Sequence, residues 1–426
     1  MKKLKIGAFA GGVFMFLGIE NGMADEIKKT AIQIATQALK TNTATIDQRE
    51  YLLAGYKQFR NLWIRDLSMS TSGALAVGME KPIRDSLEAI FTFQREDGLL
   101  PRLIDNKDGQ IRAVLGVAGI RQSFKAPLKA WYESENKITT IDGNVTVPWA
   151  ASNYIAKTND LQFAKRWFSS MEKSIQYLEK NHLEGGLISK QQGFADWEDS
   201  VNRNGRVAFT NLFYVLALRG AARWADAIHS TDKVAYYQQK ADAQAIRFRE
   251  YFWDSNKKVL RNFDGDDRYT ADANLLAITE KVLPAKEARE AYDSLKSTPL
   301  WGPIPGRPTW PNYTNDMKSI FVKSIGLGGY HDRLYWIWLS SLGARAAATV
   351  GDCKEYQRIM QYLEFQIVKN GQVHEVYRFK ESPDRLKPFK NAIYHAEAPF
   401  TWSSAMFLEA EFDQCKPGWR GAFERG

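Results

Sequence analysis

Apolar residues recur at helical spacing along almost the whole chain, and this restricts the fold more than any other feature. Ile83, Leu87, Ile90 and Phe91 fall at i, i+4, i+7 and i+8, and Phe163, Trp167, Met171, Ile175 and Leu178 make a second stripe. Asn211 to Ile228 is mostly apolar, with Arg219, Arg223 and Asp226 as the charged exceptions. Val234, Tyr237, Ala241 and Ala245 continue the pattern, as do Leu334, Trp338 and Leu342. Such spacing gives a helix one buried face and does not suit the alternation of a strand. Pro and Gly gather between these stretches, at Gly185-Gly186, Gly302 to Pro311 and Gly326 to Gly329, and mark loops. No compositional break separates two domains. Roughly a dozen helices, paired by alternately short and long connections, predict an all-α fold. Its form is an (α/α)6 barrel, two concentric rings of six helices; a stacked-helix solenoid is the alternative.

The N-terminus has a different character. Lys2, Lys3 and Lys5 precede an apolar stretch from Ile6 to Ile19, and the small residues Gly22 and Ala24 precede Asp25-Glu26. This order predicts a secretory signal peptide over residues 1–24, a single barrel domain over 25–426, and a periplasmic or secreted destination. The apolar run is short for a membrane span, so no membrane association is expected after its removal. The net charge is +9, but no Lys/Arg stripe interleaved with aromatics appears, which argues against nucleic acid as a partner. Cys353 and Cys415 both lie in the exported part, where oxidation is permitted. The sequence leaves open whether they pair.

Four segments break the amphipathic pattern by setting titratable groups beside aromatics. Trp63-Ile64-Arg65-Asp66 puts fork-shaped donors and a carboxylate behind a tryptophan, suited to sugar hydroxyls or to a structural ion pair. Asp196-Trp197-Glu198-Asp199 crowds three carboxylates into four positions. Like charges and burial raise a carboxyl pKa, as a general acid needs, though an acidic solvated turn reads the same way. Tyr330-His331-Asp332 offers a hydroxyl-binding histidine or a helix cap. Gly371 to Tyr377 (GQVHEVY) holds Glu375 after a glycine turn, a candidate base or an ordinary glutamate, and Trp402 opens the last helix.

Other chemistries find less support. The five histidines are scattered and neither HExxH nor CxxC is present, so no zinc is expected. Asp264, Asp266 and Asp267 lack the rest of a calcium loop. No nucleotide-binding glycine loop and no GxSxG elbow occurs. The expectation is an enzyme without metal or cofactor.

In their order, these segments resemble those of the six-hairpin glycosidases: glycogen debranching enzymes, glucoamylases, neutral invertases and cellobiose phosphorylases. The likeness runs from about Tyr51 to Phe412. FRNLWIRD is similar to the segment that contacts the sugar at the cleavage point, and FTFQREDGLLP (Phe91–Pro101) to the helix end that follows it. IDGNVTVPWAASNY (Ile141–Tyr154, with Asp142), YHDRLYWIWL (Tyr330–Leu339) and APFTWSSA (Ala398–Ala405) resemble inner-helix starts. DWEDSVN is similar to the phosphorylase run whose second aspartate donates the proton, which implies Asp199; the glucoamylase pattern would imply Glu198. GQVHEVY matches the debranching-enzyme pattern whose glutamate is the base, Glu375.

The resemblance implies an inverting glycoside hydrolase. Asp199, kept neutral by Asp196, Glu198 and burial, protonates the leaving oxygen, and Glu375 activates water on the opposite face, the carboxyls ~6.5–9.5 Å apart. Trp63, Trp197 and Trp402 are expected to form a platform, with Arg65, Asp66, Asp142 and His331 holding hydroxyls and Asp196 and Glu198 beside them. The substrate is expected to be an α-glucoside or similar oligosaccharide. A sucrose-type invertase, a carbohydrate-binding pseudoenzyme and a polysaccharide lyase are the alternatives.

Overall fold

The computed structural model describes residues 21–134, 137–379 and 386–415. Residues 1–20 lie outside this range, and the expected cut after Ala24 falls in the first turn of the first helix. Among the described residues no helix is long and apolar enough to cross a membrane.

Fourteen helices follow one another in the described residues: α1 (Asn21–Asn42), α2 (Ile64–Leu75), α3 (Glu80–Thr92), α4 (Gly109–Val117), α5 (Asp142–Thr158), α6 (Leu161–Asn181), α7 (Ala208–Ala227), α8 (Thr231–Phe252), α9 (Asp272–Thr279), α10 (Ala285–Lys296), α11 (Ile320–Ser324), α12 (Ile337–Thr349), α13 (Cys353–Asn370) and α14 (Thr401–Asp413). Helices α2, α5, α7, α9, α12 and α14 are buried on nearly every side. A helix that is apolar all round belongs inside a larger packing, and these six pack in chain order, α14 returning to α2, to close a ring. The seam between α2 and α14 is tight: a Cβ on Gly73 would lie 1.8 Å from the Ala405 carbonyl oxygen. Helices α1, α3, α6, α8, α10 and α13 form the outer ring, each packed on an inner helix. On α6, for example, Phe163, Met171, Ile175 and Leu178 face inward, as the stripe in the sequence predicts. The fold is the (α/α)6 barrel, not a solenoid.

Connections from inner to outer helix are short, as at Ala76–Met79 or Asn159-Asp160. Those from outer to inner helix are long. The barrel therefore carries its long loops at one end, where the inner helices begin. Small antiparallel ladders brace them: Leu62–Trp63 pairs with Leu103–Asp105, which pairs with Lys129–Trp131, and Tyr335–Trp336 pairs with Val376–Arg378. The helices α4 and α11 lie within these loops.

Cys353 and Cys415 are bridged, with Cα atoms 5.3 Å apart. The bond ties the start of α13 to the chain just beyond α14 and closes a loop whose ends are 62 residues apart. Loop-closure entropy puts its contribution at about 4 kcal/mol. Reduction with dithiothreitol should lower Tm by several degrees, whereas a Cys353→Ser/Cys415→Ser protein should show no further response to the reductant. An oxidised protein whose Tm ignores reduction contradicts this.

Candidate active site

Every segment singled out above lies at the loop-bearing end, because each leads into an inner helix. Trp63 sits in extended conformation at the start of α2, held by the ladder to Leu103 and by the Ile64 N–H to the Arg102 carbonyl. Arg65, one residue into the helix, turns back into the protein. Its Nη1 donates to Asp142 Oδ2 (3.1 Å), at the first residue of α5, and to the Asp196 carbonyl (2.7 Å). Its Nη2 faces Asp199 Oδ2 at 3.4 Å. A second guanidinium, Arg102, lies over the Trp63 ring at 4.5 Å and 3.7 Å from the same Asp199 oxygen. Arg102 directly follows the Phe91–Pro101 segment, and sequence reasoning missed it by one residue.

The three acids of DWED separate. Asp196 is clamped by Arg203, with Nη2 at 2.8 Å and Nε at 3.1 Å, and accepts from Gln191 Nε2 at 2.6 Å. Glu198 is fully buried, accepts from the Tyr313 hydroxyl at 2.6 Å and faces Arg203 Nη1 at 3.5 Å. Burial pushes its pKa well above the usual carboxylate range, against the pull of Arg203. Asp199 alone turns to the mouth of the barrel, with its side chain 30% exposed. The expected crowding of Asp199 by Asp196 and Glu198 is thus corrected. Both point into the interior toward Arg203, and neither presents its carboxylate to the site. Asp272, at the first residue of α9, joins the network by accepting from Trp197 Nε1 (2.5 Å) and Arg203 Nη1 (3.3 Å).

The expected tryptophan platform is also corrected. Trp197 and Trp402 are buried. Trp197 packs edge-on against Trp338, which stacks on Trp402 at 4.7 Å. Trp402 Nε1 points to the Met406 sulfur. Of the three, Trp63 is the one with part of its surface outside. His331 is buried, lies flat on Trp336 and has Nδ1 2.6 Å from the Ser200 hydroxyl. Burial and the charges of Arg203 and Arg65 hold its pKa well below the ordinary histidine value, so the ring is neutral.

Glu375 lies at the same end. It is 1% exposed, and its N–H bonds the Glu397 carbonyl. The Tyr394 hydroxyl donates to Oε2 at 2.5 Å, the Glu397 N–H donates to Oε2 at 3.2 Å, and Tyr330 donates to Oε1. Gln58 Nε2 in turn donates to the Tyr394 oxygen at 3.0 Å, leaving that tyrosine's own hydrogen for Glu375. Burial pushes the Glu375 pKa up to about 8, the Tyr394 and Glu397 donors opposing and the Glu397 and Asp66 charges adding to the rise. Glu397 is held by the backbone N–H groups of Tyr56, Lys57, Gln58 and Phe59, at 2.7 to 3.3 Å. It immediately precedes the Ala398–Ala405 segment, and the sequence reading passed over it.

Asp66 connects the halves. Burial pushes its pKa up to about 7, with Arg65 opposing and the Asp199 and Asp142 charges adding. The Asp66 charge in turn adds to the rise of the Glu375 pKa. Among the described residues no group of three or more His, Cys, Asp or Glu side chains is arranged to hold a metal ion. Asp264, Asp266 and Asp267 are instead paired separately with Arg206, Arg268 and Lys257.

A ring of six helical hairpins with carboxylates at its loop-bearing end defines the class of six-hairpin glycosidases. Within it, the chain belongs to the family of the bacterial alpha-L-rhamnosidase six-hairpin glycosidase domain, whose model matches residues 58–298. Among solved structures, the chain is similar to a rhamnosidase from Klebsiella oxytoca with rhamnose bound (TM-score 0.66, 14% identity), covering 92% of this chain and 64% of that one. It is similar to a structure described as a wild-type glycosidase (TM-score 0.62, 15% identity), covering 93% and 99%. A GH78 family rhamnosidase of Bacillus sp. GL1 aligns with TM-score 0.61 at 16% identity, over 90% of this chain and 34% of that one. At such identities these likenesses speak to the fold. The chain spans about two-thirds of the Klebsiella protein and one-third of the Bacillus protein. No curated protein sequence matches it.

Proposed function

We propose that the protein is an inverting exo-glycosidase in which Asp199 is the general acid and Glu375 the general base. The observation that carries this reading is that Asp199, from the third long loop of the chain, is the partly exposed acid beside Arg65 and Arg102, while Glu375, from the sixth, is held by Tyr330, Tyr394 and the Glu397 N–H at the same end of the barrel. Asp199, reached by solvent at the mouth, gives its proton to the departing glycosidic oxygen. Arg65 and Arg102 then hold the carboxylate that remains. Glu375 takes a proton from water as that water attacks the anomeric carbon. Tyr330, Tyr394 and the Glu397 N–H aim the Glu375 carboxylate, and donors to both its oxygens favour the ionised form that a base requires. Asp66 and Trp63 line the sugar's side of the mouth.

For the substrate, the family match favours a terminal α-L-rhamnoside over the α-glucoside that the sequence resemblance implied. A panel of p-nitrophenyl α-L-rhamnoside, α-glucoside and β-fructoside donors, with NMR of the first sugar released, tests both points. The expected product is the β-anomer of rhamnose. Release of the α-anomer would contradict inversion, and hydrolysis of the glucoside alone would contradict the sugar. We place the enzyme outside the cytoplasm on the strength of the N-terminal pattern and the disulfide.

The base must be deprotonated and the acid protonated, so kcat/KM against pH should be bell-shaped, with an ascending limb that follows Glu375, whose pKa burial pushes up to about 8, and a descending limb as Asp199 loses its proton. Tyr394→Phe deletes a donor to the anion and should move the ascending limb to higher pH. A limb that stays in place in Tyr394→Phe takes Glu375 out of the base's role.

A further inference from the structure

The hydrogen bonds around Glu375 run back to a loop near the other end of the sequence. Gln58 lies in the first long loop, just before α2, and is 4% exposed. Its own N–H donates to Glu397 Oε2 at 2.7 Å, the shortest of the four loop N–H bonds to that carboxylate. Its side-chain Nε2 donates to the Tyr394 oxygen at 3.0 Å and to the His395 carbonyl at 3.3 Å. Gly55 lets the loop close on Glu397, since a Cβ there would lie 2.7 Å from the Glu397 Cγ. The loop is tied again where the Thr401 N–H meets the Ala54 carbonyl at 3.0 Å. Gln58 is thus bonded to Tyr394, His395 and Glu397, in the segment that leads into the last inner helix.

The direction of each of these bonds is forced. A carbonyl oxygen only accepts, so the Gln58 amide must turn its nitrogen, not its oxygen, toward His395. The same nitrogen faces Tyr394 and can only donate to it. Burial and the Glu375 charge push the Tyr394 pKa well above the ordinary tyrosine value, so the phenol keeps its single hydrogen. With Gln58 donating to the phenol oxygen, that hydrogen goes to Glu375 Oε2, at 2.5 Å. Hydrogen bonds in a chain polarise one another, so a donor behind the hydroxyl makes it a stronger donor ahead. The other groups facing Glu375 are the Tyr330 hydroxyl and the Glu397 N–H, which donate, and the Glu397 and Asp66 carboxyls, whose charges oppose its ionisation.

We propose that Gln58 is a positioning residue for the base: locked to Glu397 and His395, it fixes the Tyr394 hydrogen on Glu375. The proposal rests on the assignment of Glu375 as the base. By it, the loop before the first inner helix orients a side chain presented before the last.

The test is a double-mutant cycle read on the ascending limb of kcat/KM against pH, with Gln58→Met, Tyr394→Phe and the two combined. Met has nearly the length of Gln and no donor. Tyr394→Phe should raise the limb by about one pH unit and Gln58→Met by about half a unit, which is about threefold in kcat/KM on the acid side, with KM little changed. The combined variant should move it no further than Tyr394→Phe alone, because Gln58 acts through the tyrosine hydroxyl. A merely structural Gln58 would lower Tm and the active fraction and leave the limb in place. A limb unmoved in Gln58→Met, or shifts that add in the combined variant, overturn the proposal. A limb unmoved in Tyr394→Phe, or an active Glu375→Gln, counts instead against Glu375 as the base. If Gln58→Met does not fold, the Tyr394 hydroxyl proton is sought by NMR in the wild type and identified by its loss in Tyr394→Phe. A slowly exchanging resonance with a nuclear Overhauser contact to the Gln58 side-chain amide is expected, and its absence overturns the proposal.

Discussion

Replacing Glu375 with Gln should lower kcat by about three orders of magnitude, because general base catalysis is worth roughly 10²–10⁴-fold. The exchange keeps the shape of the side chain: the Gln oxygen can still accept from Tyr394 and the Glu397 N–H, while its amide nitrogen faces the Tyr330 hydroxyl, which can turn to accept. What is lost is the capacity to accept a proton. The fold should be unaffected and KM should change little, since the base binds water and not the sugar. Asp199→Asn should give a loss of similar size, with one difference. A substrate whose leaving group needs no protonation, such as a dinitrophenyl glycoside, should recover much of the rate in Asp199→Asn and none in Glu375→Gln. The measurement is steady-state kinetics on both substrates beside the wild type. Equal recovery in the two variants would reverse or dissolve the assignment, and wild-type activity in purified Glu375→Gln would falsify it.

The second large effect concerns folding. Arg203 is buried among Asp196, Glu198 and Asp272, and it is the cation that ties the loop before α7 to the start of α9. Arg203→Met removes the positive charge and leaves the carboxyls facing one another without it. Breaking a buried ion pair from one side typically costs about 3–5 kcal/mol, and here several partners are stranded together. Urea denaturation at neutral pH should show a loss of at least that size. Glu198 already has a raised pKa in the presence of Arg203. A carboxyl with a raised folded-state pKa binds protons more readily folded than unfolded, so it lowers stability as pH climbs above its unfolded value. Without Arg203 the folded-state pKa rises further and the penalty at neutral pH grows. The deficit of the variant should therefore shrink as pH falls toward 5. A variant with wild-type stability at pH 7, or a deficit independent of pH, would show that the network does not hold these segments.

The two results divide the DWED acids by what surrounds them, and that division was not legible in the sequence. Asp199 and Glu198 are adjacent, and family resemblance pointed to either. What sets their surroundings apart, and underlies the proposed choice of Asp199, is Arg203, a few positions on, with Asp272 at the start of α9 and Tyr313 in a later loop. These draw Asp196 and Glu198 inward and leave Asp199 at the mouth. The tryptophans show the same limit. Trp63, Trp197 and Trp402 have equal claims as sugar platforms in the linear chain, yet Trp197 and Trp402 are buried, meeting edge-on with Trp402 stacked on Trp338. Glu397, Tyr394 and Arg102 went unrecognised because each acts through a partner far away in the chain.

What the chain determines by itself is its helical periodicity, its alternation of short and long connections, and the placing of charged and aromatic residues before the inner helices. Apolar spacing is a local property, so these follow from residues a few positions apart and suffice for the barrel and for the end that bears the site. The direction of each carboxyl, its burial and the donors it meets were decided only when α2, α5, α7, α9, α12 and α14 closed into a ring. Charge and desolvation act through space, and the distances that set them do not exist until the fold does.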